Sequence, residues 1–227
     1  MSTNAAIRSL EQIVLTCIEG NHRVVGFTAP DPQSGVSTLA RGTAEVFARS
    51  GFRTLLVDLT HPIRGPRGPM WLPGEGDPKK CISYHEGGTD RLIARPNNTG
   101  QHSFNNIARV RTALVEELSE YSRIVLDIPA ILKIQTPQIN PIAAAAVCDA
   151  VLLVCVRGKL TEERFQRAVN LVRSGGGSIT GAVLNDVEHT STSADITRIM
   201  RRLLGSDRLA DWVERKMAAT ELFNPQD

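Results

Sequence analysis

The sequence predicts a doubly wound α/β fold, in which a mostly parallel sheet carries helices on both faces. Short apolar runs recur along the chain, helical patterns separate them, and three of the runs end in Asp or Asn. Strands that are apolar along their whole length are typical of parallel sheets covered on both sides. Ligands of such sheets bind beyond the carboxyl ends of the strands, so the polar strand ends mark the expected site.

The expected elements alternate in the order that this fold requires. A helical stretch from about Ala5 to Glu19 comes first, and the Pro- and Gly-rich segment His61–Asp77 is predicted to be irregular. The predicted strands are Arg23–Phe27, Thr54–Asp58, Leu92–Ala94, Ile124–Asp127, Ala150–Val156 and Thr180–Asn185. The other predicted helices are Leu39–Arg49, Phe104–Tyr121, Ala143–Val147 and Thr161–Arg173, followed by two amphipathic helices near the C-terminus.

The segment Pro30–Thr38, between the first strand and the next helix, is similar to a phosphate-binding loop without its lysine. In the pattern G-x-x-x-x-G-K-[ST], backbone N–H groups cradle phosphates, the lysine reaches the β- and γ-phosphates, and the hydroxyl holds Mg²⁺. Gly35, Ser37 and Thr38 fit this pattern, whereas Val36 replaces the lysine and Pro30 the first glycine. The alternative is an ordinary turn in which Ser37 and Thr38 only cap the helix.

Three polar residues at strand ends complete the expected site: Asp58, Asp127 and Asn185. A carboxylate is a preferred ligand of Mg²⁺, so Asp127 is predicted to bind the ion or its water together with Ser37. Asp58 is the second candidate acid. The alternatives are structural, with the two acids capping or facing loops and Asn185 serving as a turn residue.

Composition fits a soluble globular protein and excludes several classes. The chain has 227 residues, of which 41% are hydrophobic and 22% charged, and a net charge of +2 gives no reason to expect nucleic acid as a partner. Without a signal-peptide pattern or an apolar stretch of about 18 residues, a cytoplasmic protein is expected. The four cysteines lack metal-site spacing and fit a reducing compartment.

These motifs make residues 5–188 resemble the P-loop domain of bacterial tyrosine kinases of capsular and exopolysaccharide synthesis, relatives of the ParA/MinD ATPases. The matching segments are Thr28–Gly35, Leu55–Asp58, Ile124–Pro129, Cys148–Val154, Gly158–Thr161 and Gly181–Asn185. The resemblance implies ATP or ADP with Mg²⁺ as ligands, the nucleotide base near Asn185, and a membrane polysaccharide co-polymerase as partner. It also implies a possible homo-oligomer, placed at the inner face of the membrane through its partner.

The chain departs from the family at its functional positions. Val36 replaces the lysine, Asp31 stands where ParA/MinD proteins have a signature lysine, and Thr60 replaces the second acid of the Asp58 motif. Only Arg8 remains of the N-terminal E-x-x-R-x-x-R oligomerisation motif, and the C-terminal tyrosine cluster is absent. We therefore expect a degenerate, kinase-dead protein that acts by binding and in which nucleotide is at most a structural or regulatory ligand.

Two other functions stay open from the sequence. One is an active tyrosine kinase or ATPase in which Lys133 or Arg64 replaces the missing lysine. The other is a ParA/MinD-like positioning ATPase. The expected organisation is an N-terminal helix over residues 1–22, a degenerate P-loop domain over 23–190 and C-terminal helices over 191–227, with the segment around Trp71 as the candidate partner surface.

Overall fold

The computed structural model describes residues 3–60, 70–72, 76–85, 88–94, 107–133 and 139–185. One compact unit is Ile13–Asn185, and a second consists of residues 1–12 and 186–227. The predicted C-terminal helices over 191–227, the start of the predicted helix at Phe104 and most of the Pro- and Gly-rich segment lie outside the described residues.

The described elements follow the predicted order. The helices are α1 (Thr3–Glu19), α2 (Val36–Arg49), α3 (Ile107–Thr112), α4 (Pro141–Ala146) and α5 (Glu162–Ser174). The strands are β1 (Val24–Thr28), β2 (Thr54–Asp58), β3 (Ile82–Ser83), β4 (Asp90–Ile93), β5 (Arg123–Asp127), β6 (Ala150–Val156) and β7 (Ile179–Asn185). A 3₁₀ turn, Pro78–Cys81, precedes β3, and a π-helical segment, Ala113–Glu117, continues α3.

The strands form one seven-stranded sheet in the order β3-β4-β2-β5-β1-β6-β7. Every neighbouring pair is parallel except β3 and β4, which confirms the predicted mostly parallel sheet. Strand β1 lies between β5 and β6: the chain passes from β1 to β2 on one side of it and, after β5, crosses to β6 on the other side. The loop after β1 therefore opens at the switch point where ligands bind in this class of fold.

Apolar side chains cover both faces of the sheet, as predicted. Leu56 on β2 and Val125 on β5 pack with Phe47 of α2 in one core, and Val57 and Leu126 belong to the core on the opposite face. Successive residues of a strand point to opposite faces, and residues two apart share a face. Each strand therefore directs its terminal acid, two residues after Leu56 or Val125, to the face that α2 covers.

The long predicted helix is irregular at its C-terminal end, where Arg23 closes it. The Arg23 guanidinium donates to the carbonyl oxygens of Val115 at 2.8 Å, Leu118 at 2.7 Å and Tyr121 at 3.0 Å. The last carbonyls of a helix have no intrahelical partner, and a guanidinium with several N–H groups can satisfy them. Sequence periodicity predicts the helix but does not reveal this cap.

Within the segment expected to be a partner surface, Trp71 does not present its side chain to a partner. Its side chain is only 1% exposed, its backbone N–H donates to the Ile93 carbonyl at 2.8 Å, and it forms a parallel bridge with Ala94. The Pro and Gly residues around it correctly indicate an irregular path. They do not show that the indole packs into the core, where burial of a large ring stabilises the fold.

No helix in the described part of the chain is both long and apolar enough to span a membrane. All four cysteines are free thiols, three of them buried.

Candidate functional site

The loop that follows β1 is held against the segment that follows β5. The Thr28 hydroxyl donates to the Pro129 carbonyl at 2.7 Å. The carbonyls of Ala29 and Pro30 accept from the backbone N–H groups of Ile131 and Leu132 at 2.9 and 3.0 Å. These bonds continue the pairing of β1 with β5 into the first half of the loop and fix where it starts.

Gly35 turns the loop into α2 in a left-handed conformation, with φ 83° and ψ 18°. A Cβ atom at this position would lie 2.3 Å from the Nδ2 atom of Asn185, so both backbone and space require glycine. Because glycine stands at the N-cap, no side chain caps the helix there. The N–H groups of the first turn, which have no intrahelical acceptor, therefore form an anion-binding end.

Asn185 ends β7 and contacts the loop directly. Its Nδ2 atom donates to the Ser34 carbonyl at 3.0 Å. The predicted nucleotide-contacting residue thus lies at the loop, where the structure gives it a main-chain partner. At the start of the loop, the Ser34 hydroxyl donates to the Asp31 carbonyl at 2.6 Å, which tightens the turn.

Asp58 and Asp127 lie side by side, because the register of β2 and β5 pairs them directly. Asp127 is buried, and the nearby Ser37 side chain favours its charged form. Its Oδ1 atom has no hydrogen-bond partner among the described residues. Burial and the neighbouring Asp58 charge raise the pKa of Asp127 to about 7, against the opposing effects of Ser37, Arg41 and Arg91.

Arg91, on the adjacent strand β4, holds Asp58. Its Nη2 atom lies 2.5 Å from Asp58 Oδ2, while the backbone N–H and the hydroxyl of Thr60 donate to Asp58 Oδ1 at 3.0 and 2.9 Å. Thr60 occupies the position of the family's second acid and here donates to the first one. Both oxygens of Asp58 are therefore engaged by donors of the protein itself.

Arg41 brings a second guanidinium to the same place. It lies on α2 one turn beyond Ser37, and its charge interacts with those of Arg91, Asp58 and Asp127. Burial is the largest cause that lowers the pKa of Arg41, followed by the like charge of Arg91. We call Arg41, Arg91, Asp58 and Asp127 the charged cluster.

The sequence did not predict the two arginines of the charged cluster. It offered Lys133 and Arg64 as replacement cations, but Lys133 is exposed and Arg64 lies outside the described residues. The spacing of Arg41, four residues after Ser37, places both on one helix face and was a usable signal. Arg91 had none, because its approach to Asp58 depends on the register between β2 and β4.

An exposed ion pair ties the loop to α5. The Arg164 guanidinium contacts both carboxylate oxygens of Asp31, with Nε 3.1 Å from Oδ2. The position at which ParA/MinD proteins have a lysine thus carries an acid that an arginine of the same chain neutralises.

The residues present fit a bound phosphate better than a divalent cation. The uncapped N-terminus of α2 and Gly35 form a cradle for phosphate oxygens. Ser37 and Asp127, the predicted Mg²⁺ ligands, do lie together, and Asp127 keeps one unpartnered oxygen. Two guanidiniums nevertheless stand at the same carboxylates and would repel a divalent cation.

The strand order, the loop after the central strand and the paired acids at the ends of β2 and β5 define a P-loop α/β protein. The fold class predicted from the sequence is confirmed.

No family model matches the chain. A tyrosine-protein kinase, CpsD of Streptococcus agalactiae serotype III (strain NEM316), is 26% identical over 190 residues, which cover 77% of this chain and 79% of CpsD. The kinase domain of the Escherichia coli tyrosine kinase ETK superposes with a TM-score of 0.68 at 20% identity, over 82% of this chain and 76% of that one. The chain therefore fits the bacterial tyrosine-kinase family, which confirms the resemblance predicted from its motifs.

The wider P-loop group is similar in fold alone. The septum site-determining protein MinD of Pyrococcus horikoshii OT3, complexed with Mg-ADP, gives a TM-score of 0.56 at 14% identity, over 80% of this chain and 76% of MinD.

Proposed function

We propose that this protein is a degenerate, kinase-dead P-loop protein that supports synthesis of a capsular, exopolysaccharide or holdfast-type polysaccharide. It acts by binding a membrane co-polymerase at the cytoplasmic face of the membrane. The protein contributes a binding surface on its P-loop domain, and a nucleotide serves as a structural or regulatory ligand. The likeness to CpsD, named a tyrosine-protein kinase, supports the resemblance from which the polysaccharide role is expected.

The observation that carries the proposal is the combination of Val36 with the Asp58–Arg91 ion pair. Phosphoryl transfer depends on positive charge placed against the γ-phosphoryl oxygens and on a carboxylate free to orient the metal or its water. Val36 supplies no charge at the first residue of α2. Asp58 is held by Arg91 and Thr60, so it is not available for the metal.

The same residues weigh against a ParA/MinD-like positioning ATPase. That function uses a lysine near the start of the loop, and here Asp31 stands there in an ion pair with Arg164. The remaining enzymatic alternative, a kinase or ATPase with an unusual loop, is separated from our proposal by measuring turnover.

We expect the purified full chain to release no phosphate from ATP and to transfer none to tyrosine, with either Mg²⁺ or Mn²⁺ present. Phosphate release should equal that of Asp127→Ala measured in parallel. Turnover by the wild-type chain that is lost in Asp127→Ala would overturn the proposal in favour of the enzyme.

Val36→Lys tests whether the loop lacks only a positive charge for ATP binding or also lacks the groups needed for turnover. A lysine here should strengthen ATP binding by about tenfold, the usual effect of a charge-assisted hydrogen bond, without starting turnover. Val36→Met is the matched control, because it lengthens the side chain without adding charge. If Val36→Lys alone restores phosphoryl transfer, the rest of the site is catalytically intact and the chain is one substitution from an enzyme.

The cellular role is tested by complementation in the organism that produces the protein. Deletion of the gene should reduce the surface polysaccharide, and Asp127→Asn should restore it as fully as the wild-type gene does. The protein should also copurify with an integral membrane protein of the polysaccharide machinery. An Asp127→Asn protein that accumulates normally and fails to complement would contradict a binding-only function.

A further inference from the structure

We propose that Arg91 and Arg41 take the electrostatic place of the divalent cation, so that the loop binds a nucleoside diphosphate without Mg²⁺. This inference deepens the proposed function and rests on it for the identity of the site. It names the ligand chemistry as a phosphate-bearing nucleotide that is bound through arginine and backbone N–H groups.

Asp58 is already engaged by donors of the protein. Arg91 contacts its Oδ2 atom at 2.5 Å, and two donors of Thr60 contact its Oδ1 atom. A carboxylate that orients a metal or its water needs an oxygen lone pair directed at that ligand. Here a guanidinium, the cation best matched to carboxylate and phosphate geometry, already stands against it.

The positive charge around the paired acids also weighs against a divalent cation. Arg41 and Arg91 together carry two positive charges, the charge of one Mg²⁺ ion, and both face Asp58 and Asp127. Among the described residues, Glu45 lies further along α2 and interacts with the charges of Arg41, Arg49 and His85. The two guanidiniums thus already accompany the paired acids, and an incoming divalent ion would meet two fixed like charges.

Contact with a ligand depends on the exposure of Arg91. The Arg91 side chain is 34% exposed, whereas that of Asp58 is 8% exposed, so Arg91 is the partner of this ion pair that a solute can reach. Its Nε atom and Asp127 Oδ1 are both buried and have no hydrogen-bond partner within the described part of the chain, so the protein's own groups do not fully satisfy the charged cluster. The N-terminus of α2 has no side-chain cap. Phosphate oxygens accept hydrogen bonds from guanidinium groups and from the backbone N–H groups of a helix N-terminus.

Calorimetric titration of ADP into the full chain tests the inference, in buffers that contain either EDTA or Mg²⁺. The wild-type dissociation constant should differ by less than about twofold between the two buffers. Arg91→Gln should weaken binding at least about tenfold in EDTA, because a charged donor is lost. Mg²⁺ should restore part of that loss, because Asp58 has then lost the guanidinium and can accept a cation. Arg91→Lys, which keeps the charge without the fork, should lie between the two.

The double variant Asp58→Asn with Arg91→Gln checks the charge argument. Removing both partners should abolish the Mg²⁺ dependence that Arg91→Gln alone creates. Arg173→Gln is the matched control, an exposed arginine in the last turn of α5 whose loss should leave ADP binding unchanged in both buffers. Thermal unfolding of every variant establishes that the comparison is made on folded protein.

Two results would overturn the inference. One is wild-type binding that requires Mg²⁺, and the other is no ADP binding in either buffer. Neither would overturn the proposed function. That function fails only if the chain turns over ATP or if Asp127→Asn does not complement the gene deletion. The two proposals therefore fail on different measurements.

Discussion

Asp127→Asn is expected to make the protein more stable at pH 8 by about 2–4 kcal/mol, while changing its stability little near pH 4. The pKa of Asp127 is raised from 3.8 to about 7 in the folded chain by burial and by the Asp58 charge. The folded state therefore holds the proton that the unfolded state releases between these values. Stability contributed by this group is full below pH 4 and falls as the pH rises toward 7, and asparagine removes the fall.

Urea unfolding of both proteins from pH 4 to pH 8 measures the difference in the free energy of unfolding. The difference should grow with pH across the window between the two pKa values and then level off. Glu163→Gln, which removes an exposed carboxylate from α5, is the control for the loss of one negative charge. A difference that stays flat with pH, or an Asp127→Asn protein less stable at pH 8, would contradict the prediction.

Gly35→Ala should lower the free energy of unfolding by about 2–4 kcal/mol. The left-handed backbone costs a non-glycine residue about 1–2 kcal/mol. The remainder comes from Asn185, since the new Cβ would lie 2.3 Å from its Nδ2 atom and must break the bond to Ser34.

Gly51→Ala is the matched control for this prediction. Gly51 has nearly the same backbone angle, with φ 84°, but nothing lies within 4 Å of a Cβ placed there. It should show the backbone cost of about 1–2 kcal/mol without the steric part. In an Asn185→Ala background the two glycine exchanges should then cost nearly the same. If Gly35→Ala and Gly51→Ala are already equal in the wild-type chain, the contact with Asn185 does not shape the loop.

Sequence patterns predicted the strand ends well, because a strand that is buried on both faces is a continuous apolar run in the sequence. An apolar run that stops at an acid predicts where a strand ends, and Asp58 and Asp127 end β2 and β5 as expected. The loop was equally legible, since the residues that turn it are consecutive. What these patterns could not show is which charges meet across the sheet.

The partner of Asp58 illustrates this limit. Arg91 lies 33 positions later on β4 and reaches Asp58 only because that strand pairs with β2 in one particular register. The same holds for Trp71, whose Pro- and Gly-rich surroundings look solvent-exposed although the indole is buried beside Ala94. Long-range register, a property of the assembled sheet, decides both positions.

The three anchors of the loop have a consequence for the order in which this chain folds. Thr28 bonds to a residue 101 positions later, Asp31 to one 133 positions later, and Asn185 reaches back 151 positions to Ser34. Contacts this distant in sequence form late, since the entropy of closing long loops must be overcome first. During synthesis the loop therefore leaves the ribosome long before its anchors exist. The loop therefore takes its final shape only once β7 has been made.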